Sequence, residues 1–213
     1  MPASSGRPLP PASVLSGDIE HLFVPAPEVW DWIQINIINN SGGLHNQDHH
    51  HLLHANIGVL WTSVENSRKG RRVIGTAEEV AFRCGKWQKA RQEMQMVAWF
   101  GCPLPDFLIT LDAMFCQHCS DTEFCALVEH ELYHCGQKFD AFGAPKFSKD
   151  TGRPQFELKG HDVEEFIGVV RRYGTGNSEG KLAQLVNAAN SKPEVAKIDI
   201  SRACGTCQLR LAS

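Results

Sequence analysis

The sequence predicts an α+β fold, because segments with strand periodicity and segments with helix periodicity follow each other in irregular order along its 213 residues. Residues 107–115 alternate in the way that is typical of a β-strand. Apolar residues at helical spacing follow Ser120 and predict an amphipathic helix. Two short segments joined by the turn-forming residues 149–152 indicate a hairpin.

The remaining elements follow from the same two periodicities. We expect helices at residues 26–40, 47–55, 86–98 and 181–190, strands at 56–61 and 71–74, and a hairpin that pairs 146–148 with 155–157. In the first helix Val29, Ile33 and Ile37 face inward. The chain then divides into a flexible N-terminal arm (1–20), one folded domain (21–174) and a C-terminal region (175–213) of linker, short helix and Cys-x-x-Cys tail.

Composition argues against several classes of protein. The formal net charge of -3 gives no general basic surface for nucleic acid. No apolar run has the length of a membrane span, and the first residues lack the apolar segment of a signal peptide. We therefore expect a protein without membrane contact that stays in the cytoplasm where it is made.

The pentapeptide from His130 to His134 reads His-Glu-x-x-His and says most about function. On a helix, residues four apart lie on one face, so both imidazoles can bind one cation. Zinc suits imidazole ligands with one position left for water, and Glu131 beside them can take a proton from that water during attack on a carbonyl. The pattern predicts a catalytic zinc site with two histidine ligands and Glu131 as the general base.

The flanking residues favour a helix around this motif. Ser120 and Glu123 have the spacing of a capping box, which marks a helix N-terminus. An apolar stripe follows at Phe124, Leu127 and Val128, and Gly136 is a suitable C-terminal stop.

A catalytic zinc site needs a third protein ligand, and the segment after Gly160 offers several. His161 opens a second helical pattern whose inward face comprises Val163, Phe166, Ile167 and Val170. We favour His161, because neutral imidazole is the commoner zinc ligand, and keep Glu164 or Glu165 as alternatives.

The eight cysteines include two Cys-x-x-Cys pairs, Cys116 with Cys119 and Cys204 with Cys207. Disulfides are rare in reducing compartments, so clustered cysteines there suggest metal binding. Either the four thiolates share a second, structural zinc that ties a zinc-ribbon-like tail to the body, or they are plain thiols.

Further histidines crowd into one segment, at His45, His49, His50, His51 and His54. His50 and His54 are spaced like metal ligands on a helix, but no glutamate follows them as Glu131 follows His130. We favour a helix with mixed polar faces, with Asp48 as a candidate cap, over a metal site.

Five segments resemble the phage metallopeptidase family: residues 99–101, 105–112, 128–134, 143–147 and 160–166. The layout is also similar to SprT-like zinc proteases, in which a later Gly-His opens the helix after the motif helix. The resemblance implies a zincin-like domain whose small mixed or antiparallel sheet packs on the motif helix. It also implies His130, His134 and His161 as ligands, and residues 106–114 as an edge strand that receives the substrate.

The resemblance implies a zinc-dependent peptidase that hydrolyses a protein or peptide, in the bacterial host cytoplasm if the chain is encoded by a phage. Two other functions stay open. The domain is a catalytically idle zinc-binding module that binds a host defence protein, or it belongs to a nucleic-acid-associated complex. A purely structural zinc site has no need of Glu131, so that carboxylate favours the enzyme.

Overall fold

The structure, a computed structural model, describes residues 6–68, 71–163 and 167–198, and their elements confirm the α+β class. The helices are α1 Ala12–Leu15, α2 Pro27–Ile33, α3 Lys86–Phe100, α4 Ala113–His118, α5 Asp121–His134, α6 Ile167–Tyr173 and α7 Lys181–Asn190, with 3-10 turns at Ile19–His21 and Gln47–His54 and a π turn at Gln34–Ile38. The strands are β1 Phe23–Pro25, β2 Ile57–Thr62, β3 Ser67–Arg68, β4 Arg71–Arg72, β5 Gly75–Glu79, β6 Phe107–Asp112, β7 Cys135–Gln137 and β8 Phe156–Leu158.

The main sheet has four strands in the order β1-β2-β6-β5. Strand β6 runs parallel to β2, with Ile57 opposite Phe107, and antiparallel to β5, with Gly75 opposite Leu111. Because β6 has a neighbour on both sides, the expectation that residues 106–114 form an edge strand was wrong. The edges of this sheet are β1 and β5.

Side chains of the two central strands alternate between two cores. Val59, Trp61, Ile109 and Leu111 point into the larger core, which also contains the apolar face of α5: Phe124, Leu127, Val128 and Leu132. Leu60 and Leu108 point to the other face, where Met96 of α3 covers them. The motif helix is thus held against one face of the sheet by a fully apolar stripe.

Helix α5 begins as the sequence predicts. The Ser120 hydroxyl accepts from the Glu123 amide, and the Glu123 carboxylate accepts from the Ser120 amide at 2.8 Å, so the capping box is complete. The helix also ends where the sequence predicts, since His134 is its last residue, Cys135 is its C-cap and Gly136 follows directly. Gly136 does not have the positive φ of a glycine cap, because it already lies in strand β7.

Other boundaries differ because short-range capping decides them. The strand predicted for 107–115 ends at Asp112, since that side chain accepts from the Phe115 amide and starts α4. The helix predicted for 47–55 is a 3-10 helix, and its cap is Asn46, whose side chain accepts from the Asp48 amide.

Two predictions near the N-terminal half have mixed outcomes. The helix predicted for 26–40 is confirmed as α2 and its π turn, with Val29, Ile33 and Ile37 buried. The strand predicted for 71–74 is only the two-residue β4, and the longer strand β5 that follows was not predicted.

In the N-terminal segment, Val14 of α1 is fully buried and Arg7 contacts α4.

The segment between the motif helix and His161 forms a long excursion. Its turn at 149–152 is present, and residues 146–148 pair antiparallel across it: Phe147 lies opposite Pro154, and the Gln155 amide donates to the Lys146 carbonyl at 2.9 Å. The predicted partner range 155–157 was wrong by about two residues, because β8 pairs with β7 instead. His161 precedes its helix: residues 164–166, including the alternative ligands Glu164 and Glu165, lie outside the described residues, and α6 begins at Ile167. Ile167 is 66% exposed, so it is not part of a buried stripe.

The described chain divides into two compact units, one up to Lys159 and one from Gly160 to Ile198. The first contains the sheet and α5. The second contains α6 and α7. Lys181, the first residue of α7, forms an ion pair with Asp162, with 2.8 Å between Nζ and Oδ1. Helix α7 confirms the helix predicted for 181–190.

Candidate metal centre

Helix α5 brings His130 and His134 together, one turn apart on the same face. Their ring centroids are 5.1 Å apart, with the rings 70° from parallel. Since the opposite face of α5 is packed into the core, the two imidazoles are presented by a backbone that cannot rotate about its own axis without losing that packing.

The orientation of the His134 ring is set by Lys159. The Nδ1 atom of His134 donates to the Lys159 carbonyl at 2.7 Å, and the Lys159 amide donates back to the His134 carbonyl at 2.8 Å. This places the proton on Nδ1 and makes Nε2 the nitrogen that carries a lone pair for a metal. A backbone carbonyl in this role is the usual partner of a metal-binding histidine.

Strand pairing brings Lys159 to this position. Strand β7 directly follows His134 and pairs antiparallel with β8, with Cys135 opposite Leu158. The chain therefore returns to the end of α5 just before His161. His161 follows Lys159 by two residues, and two residues of extended chain span about 7 Å at most. The backbone of His161 therefore lies within reach of His134.

The ligand atoms of His130, His134 and His161 all lie within 4.8 Å of one another. A tetrahedral zinc with bonds of about 2.0–2.1 Å holds its nitrogen ligands ~3.3 Å apart, so the three rings need to close by ~1.5 Å at most. Three neutral imidazoles are a donor set that zinc favours, and the group therefore fits such an ion.

Glu131 lies beside the triad on α5 and is 0% exposed. The space for its carboxylate is provided by Gly75 of β5: a Cβ at that position would lie 2.7 Å from Oε1 of Glu131 and 2.8 Å from Cδ1 of Leu127. Sequence reasoning missed Gly75, because nothing local distinguishes a glycine that makes room for a distant side chain. It also missed the carbonyl of Lys159.

The family comparison agrees with this geometry. A family model described as "Putative phage metallopeptidase" matches residues 30–190, which is more than half of the chain. The chain belongs to this family. The family description implies a metal ion, and the three histidines are a group that could hold one. No curated protein and no solved structure gives a significant match.

The histidine-rich segment 45–54 packs behind the motif helix. His49 is 1% exposed, lies against the Tyr133 ring at 4.6 Å, and has its pKa lowered to about 4 by burial, with His51 adding to the effect. The side-chain amide of Asn46 donates to both the Glu129 carboxylate and the Tyr133 hydroxyl of α5. Within the described residues this segment contributes nothing to the metal-binding group, and its contacts support the helix.

Two further hydrogen bonds join the histidine-rich segment to the end of α5 and the start of β7. The Tyr133 hydroxyl donates to Asp48 at 2.9 Å, and burial raises the pKa of Tyr133 to about 12, so it remains a donor at neutral pH. The His51 ring donates from Nε2 to the Cys135 carbonyl at 2.7 Å. The Tyr133 hydroxyl is therefore bound by Asn46 and Asp48 of the histidine-rich segment.

The first cysteine pair lies at the end of α4, with Cys116 and Cys119 both buried. A hydrogen bond with Cys119 and burial raise the pKa of the Cys116 thiol, and the same bond lowers the pKa of Cys119. The Arg7 guanidinium donates to the carbonyls of both residues, at 2.7 and 2.6 Å. Cys204 and Cys207 lie outside the described residues.

No helix in the described part of the chain combines the length and apolar character that crossing a membrane requires.

Proposed function

We propose that the protein is a zinc-dependent peptidase of the His-Glu-x-x-His type with a zincin-like domain, which hydrolyses a protein or peptide in the cytoplasm of a bacterial host. The observation that carries the proposal is the histidine triad, closed to within 4.8 Å, beside the fully buried Glu131. A structural zinc site would gain nothing from a buried carboxylate next to its ligands, because burial of an ionisable group opposes folding.

His130, His134 and His161 would hold the ion, which when bound polarises a carbonyl and acidifies a water molecule. Glu131 accepts a proton from the attacking water as the new carbon–oxygen bond forms. It then delivers that proton to the leaving amine as the carbon–nitrogen bond breaks. The Lys159 carbonyl holds the His134 ring in the tautomer that binding requires.

The substrate strand would be received by β5, not by the central β6. Strand β5 is an edge of the main sheet, and its first residue, Gly75, adjoins Glu131. A peptide added to an edge strand gains main-chain hydrogen bonds and leaves specificity to side-chain pockets. The close approach of Gly75 to the Glu131 carboxylate supports this assignment, because a peptide added to β5 would pass near the general base.

The test is a pair of substitutions with different expected outcomes. His161→Ala should lower zinc content, measured by atomic absorption after dialysis. Glu131→Gln should keep zinc and fold yet lose peptide hydrolysis by about a hundredfold to ten-thousandfold, because an amide is not a base. Tyr133→Phe, on the same helix, removes a hydroxyl that bonds to Asn46 and Asp48; it is the control and should keep both.

Full zinc occupancy in His161→Ala would assign the third ligand to Glu164 or Glu165. A biological effect that survives Glu131→Gln undiminished would contradict hydrolysis as its basis. It would favour the idle module that binds a host protein or a nucleic-acid-associated complex.

We also propose a second, structural zinc held by Cys116, Cys119, Cys204 and Cys207. The buried pair at the end of α4 supports it, since both thiols already lie together. The purified protein should then carry about two metals per chain, and Cys204→Ser should lower both metal content and melting temperature. One metal per chain and a normally melting variant would leave these cysteines as thiols.

A further inference from the structure

The excursion between strands β7 and β8 carries three exposed phenylalanines. We name residues 138–155 the excursion loop. Phe139, Phe142 and Phe147 are 58%, 95% and 51% exposed. Large apolar side chains that gather at the surface in one short segment mark an interaction site, since each of them would be better hidden from water.

The excursion loop holds these side chains in a defined arrangement. The amides of Lys138, Lys146 and Ser148 donate to carbonyls across the loop, each at 2.8 Å. The Asp140 carboxylate accepts from the amides of Phe142 and Ala144 at 2.8 and 2.9 Å, and these bonds lower the pKa of Asp140. The turn that presents Phe142 is therefore built from internal hydrogen bonds, and its exposure is a property of the fold.

Both ends of the excursion loop are tied to the candidate site and to the body. Strand β7 starts at the residue after His134, and Lys159 returns to His134. Farther out, Arg153 donates to the Asp106 carboxylate at 2.9 Å and to the His54 carbonyl at 3.1 Å. The loop thus stands at a fixed place beside the metal ligands.

Charge on the loop is mostly positive. Lys138, Lys146 and Lys149 form no ion pair within the parts of the chain that the structure describes. Asp140, which accepts from the amides of the turn, also lies close enough to Lys146 for their charges to interact. The loop nevertheless carries four basic residues, the three lysines and Arg153, against the two acidic residues Asp140 and Asp150. Its surface combines apolar contact with a net positive charge, which complements a chain carrying apolar and acidic side chains.

We propose that the excursion loop is a docking surface for the polypeptide substrate itself, which binds apolar and acidic side chains at a distance from the scissile bond. This inference rests on the proposed peptidase function. Phe139 and Phe142 follow His134 by five and eight residues, and an extended chain covers ~3.3 Å per residue. The substrate positions contacted lie within about eight residues of the bond that is cut.

Binding is tested without catalysis, in zinc-loaded Glu131→Gln protein. The probe is a fluorescein-labelled peptide with leucine, phenylalanine and aspartate spread over about eight residues on either side of a central bond. Adding Phe142→Ser should weaken binding by about tenfold, as expected for an exposed aromatic anchor. Trp87→Ser, which removes an equally exposed aromatic from α3, is the matched control and should leave affinity unchanged.

Cleavage gives a second readout in the parent protein. Phe142→Ser should lower the ratio of kcat/KM for the long peptide to kcat/KM for a peptide cut back to the residues around the scissile bond. Lys146→Glu should lower that ratio for acidic long peptides and not for neutral ones.

Equal affinity for the long peptide in Glu131→Gln protein with and without Phe142→Ser would overturn the proposal. So would tighter binding of oligodeoxythymidine than of the peptide, since bases also stack on aromatic side chains beside basic groups. Loop-dependent binding without hydrolysis by the parent would refute only the peptidase. Hydrolysis without loop dependence would refute only this docking surface.

Discussion

Replacing Gly75 by alanine tests how strictly the structure fixes Glu131. The new methyl carbon would lie 2.7 Å from Oε1 and 3.2 Å from Cδ of Glu131, and 2.8 Å from Cδ1 of Leu127. These separations are shorter than van der Waals contact, so a neighbour must move. Leu127 and Glu131 are both fully buried, and the carboxylate makes the closest contact, so we expect the carboxylate to be displaced.

The size of the effect follows from these distances. An overlap of this size in a packed interior typically costs 1–3 kcal/mol, about the range of one added methylene. A shift of roughly 1 Å in a reacting group costs about a hundredfold in rate. We therefore expect Gly75→Ala to remain folded, to keep its zinc, and to lose about a hundredfold in kcat.

The assay compares two glycines with similar crowding. At Gly58 of β2, a Cβ would lie 2.9 Å from Cζ of Phe100 and 3.1 Å from Cδ1 of Leu108, in the core on the α3 side. Gly58→Ala should lower the melting temperature by a similar amount but keep kcat and zinc. Measuring kcat, zinc content and unfolding for both variants separates overpacking from displacement of Glu131.

The reasoning would be refuted by a Gly75→Ala protein that retains kcat within about twofold while its unfolding free energy drops as expected for overpacking. Equal losses of kcat in the two alanine variants would also contradict it. Such an outcome would mean that crowding anywhere in the sheet disturbs activity, and that the contact between Gly75 and Glu131 is not special.

Three further predictions concern stability. In zinc-free protein the pKa of His49 is lower in the folded state (about 4) than in the unfolded state (about 6.5). The free energy of unfolding should therefore be highest above pH 6.5 and fall by roughly 3 kcal/mol as the pH falls to 4, since the unfolded state then binds the proton more tightly. Urea titrations at several pH values should show a weaker pH dependence of this free energy in His49→Leu. Ser120→Ala removes the cap of α5 and should cost about 1 kcal/mol in the same assay, whereas Ser120→Asp should cost little. Arg7→Ala should cost about 1–3 kcal/mol by leaving the carbonyls of Cys116 and Cys119 without their donor, and no loss would show that water replaces it.

The parts of the site that local sequence determines were predictable. Ser120 and Glu123 form a capping box because the residues that close it are three apart, and the helix that they start carries His130 and His134 on one face. Both relations need only helical geometry. The Glu131 position follows from the same geometry, although its complete burial does not.

The parts that depend on sheet order were not predictable. The resemblance implies that residues 106–114 form an edge strand, yet β6 is central, because the neighbours of a strand are set by pairings far apart in sequence. In the sequence Gly75 looks like any glycine after a predicted strand, here 71–74, until its contact with Glu131 is known. The start of α4 did have a local signal, since Asp112 is a suitable cap residue, but the apolar alternation around it was given more weight.

The connection between the candidate metal site and the excursion loop would let the proposed peptidase combine fixed chemistry with variable recognition. The proposed ligand His134 is oriented by Lys159, and Lys159 is placed by the pairing of β7 with β8. Changes of side chain at the loop tip, such as Phe142, leave that pairing intact, because its hydrogen bonds are between backbone atoms. Changes in the length of β7 or β8 would instead shift Lys159 and should disturb zinc binding. If both proposals hold, recognition at the tip is free to vary by substitution, whereas the strands at its base are constrained by the need to orient His134 for the metal.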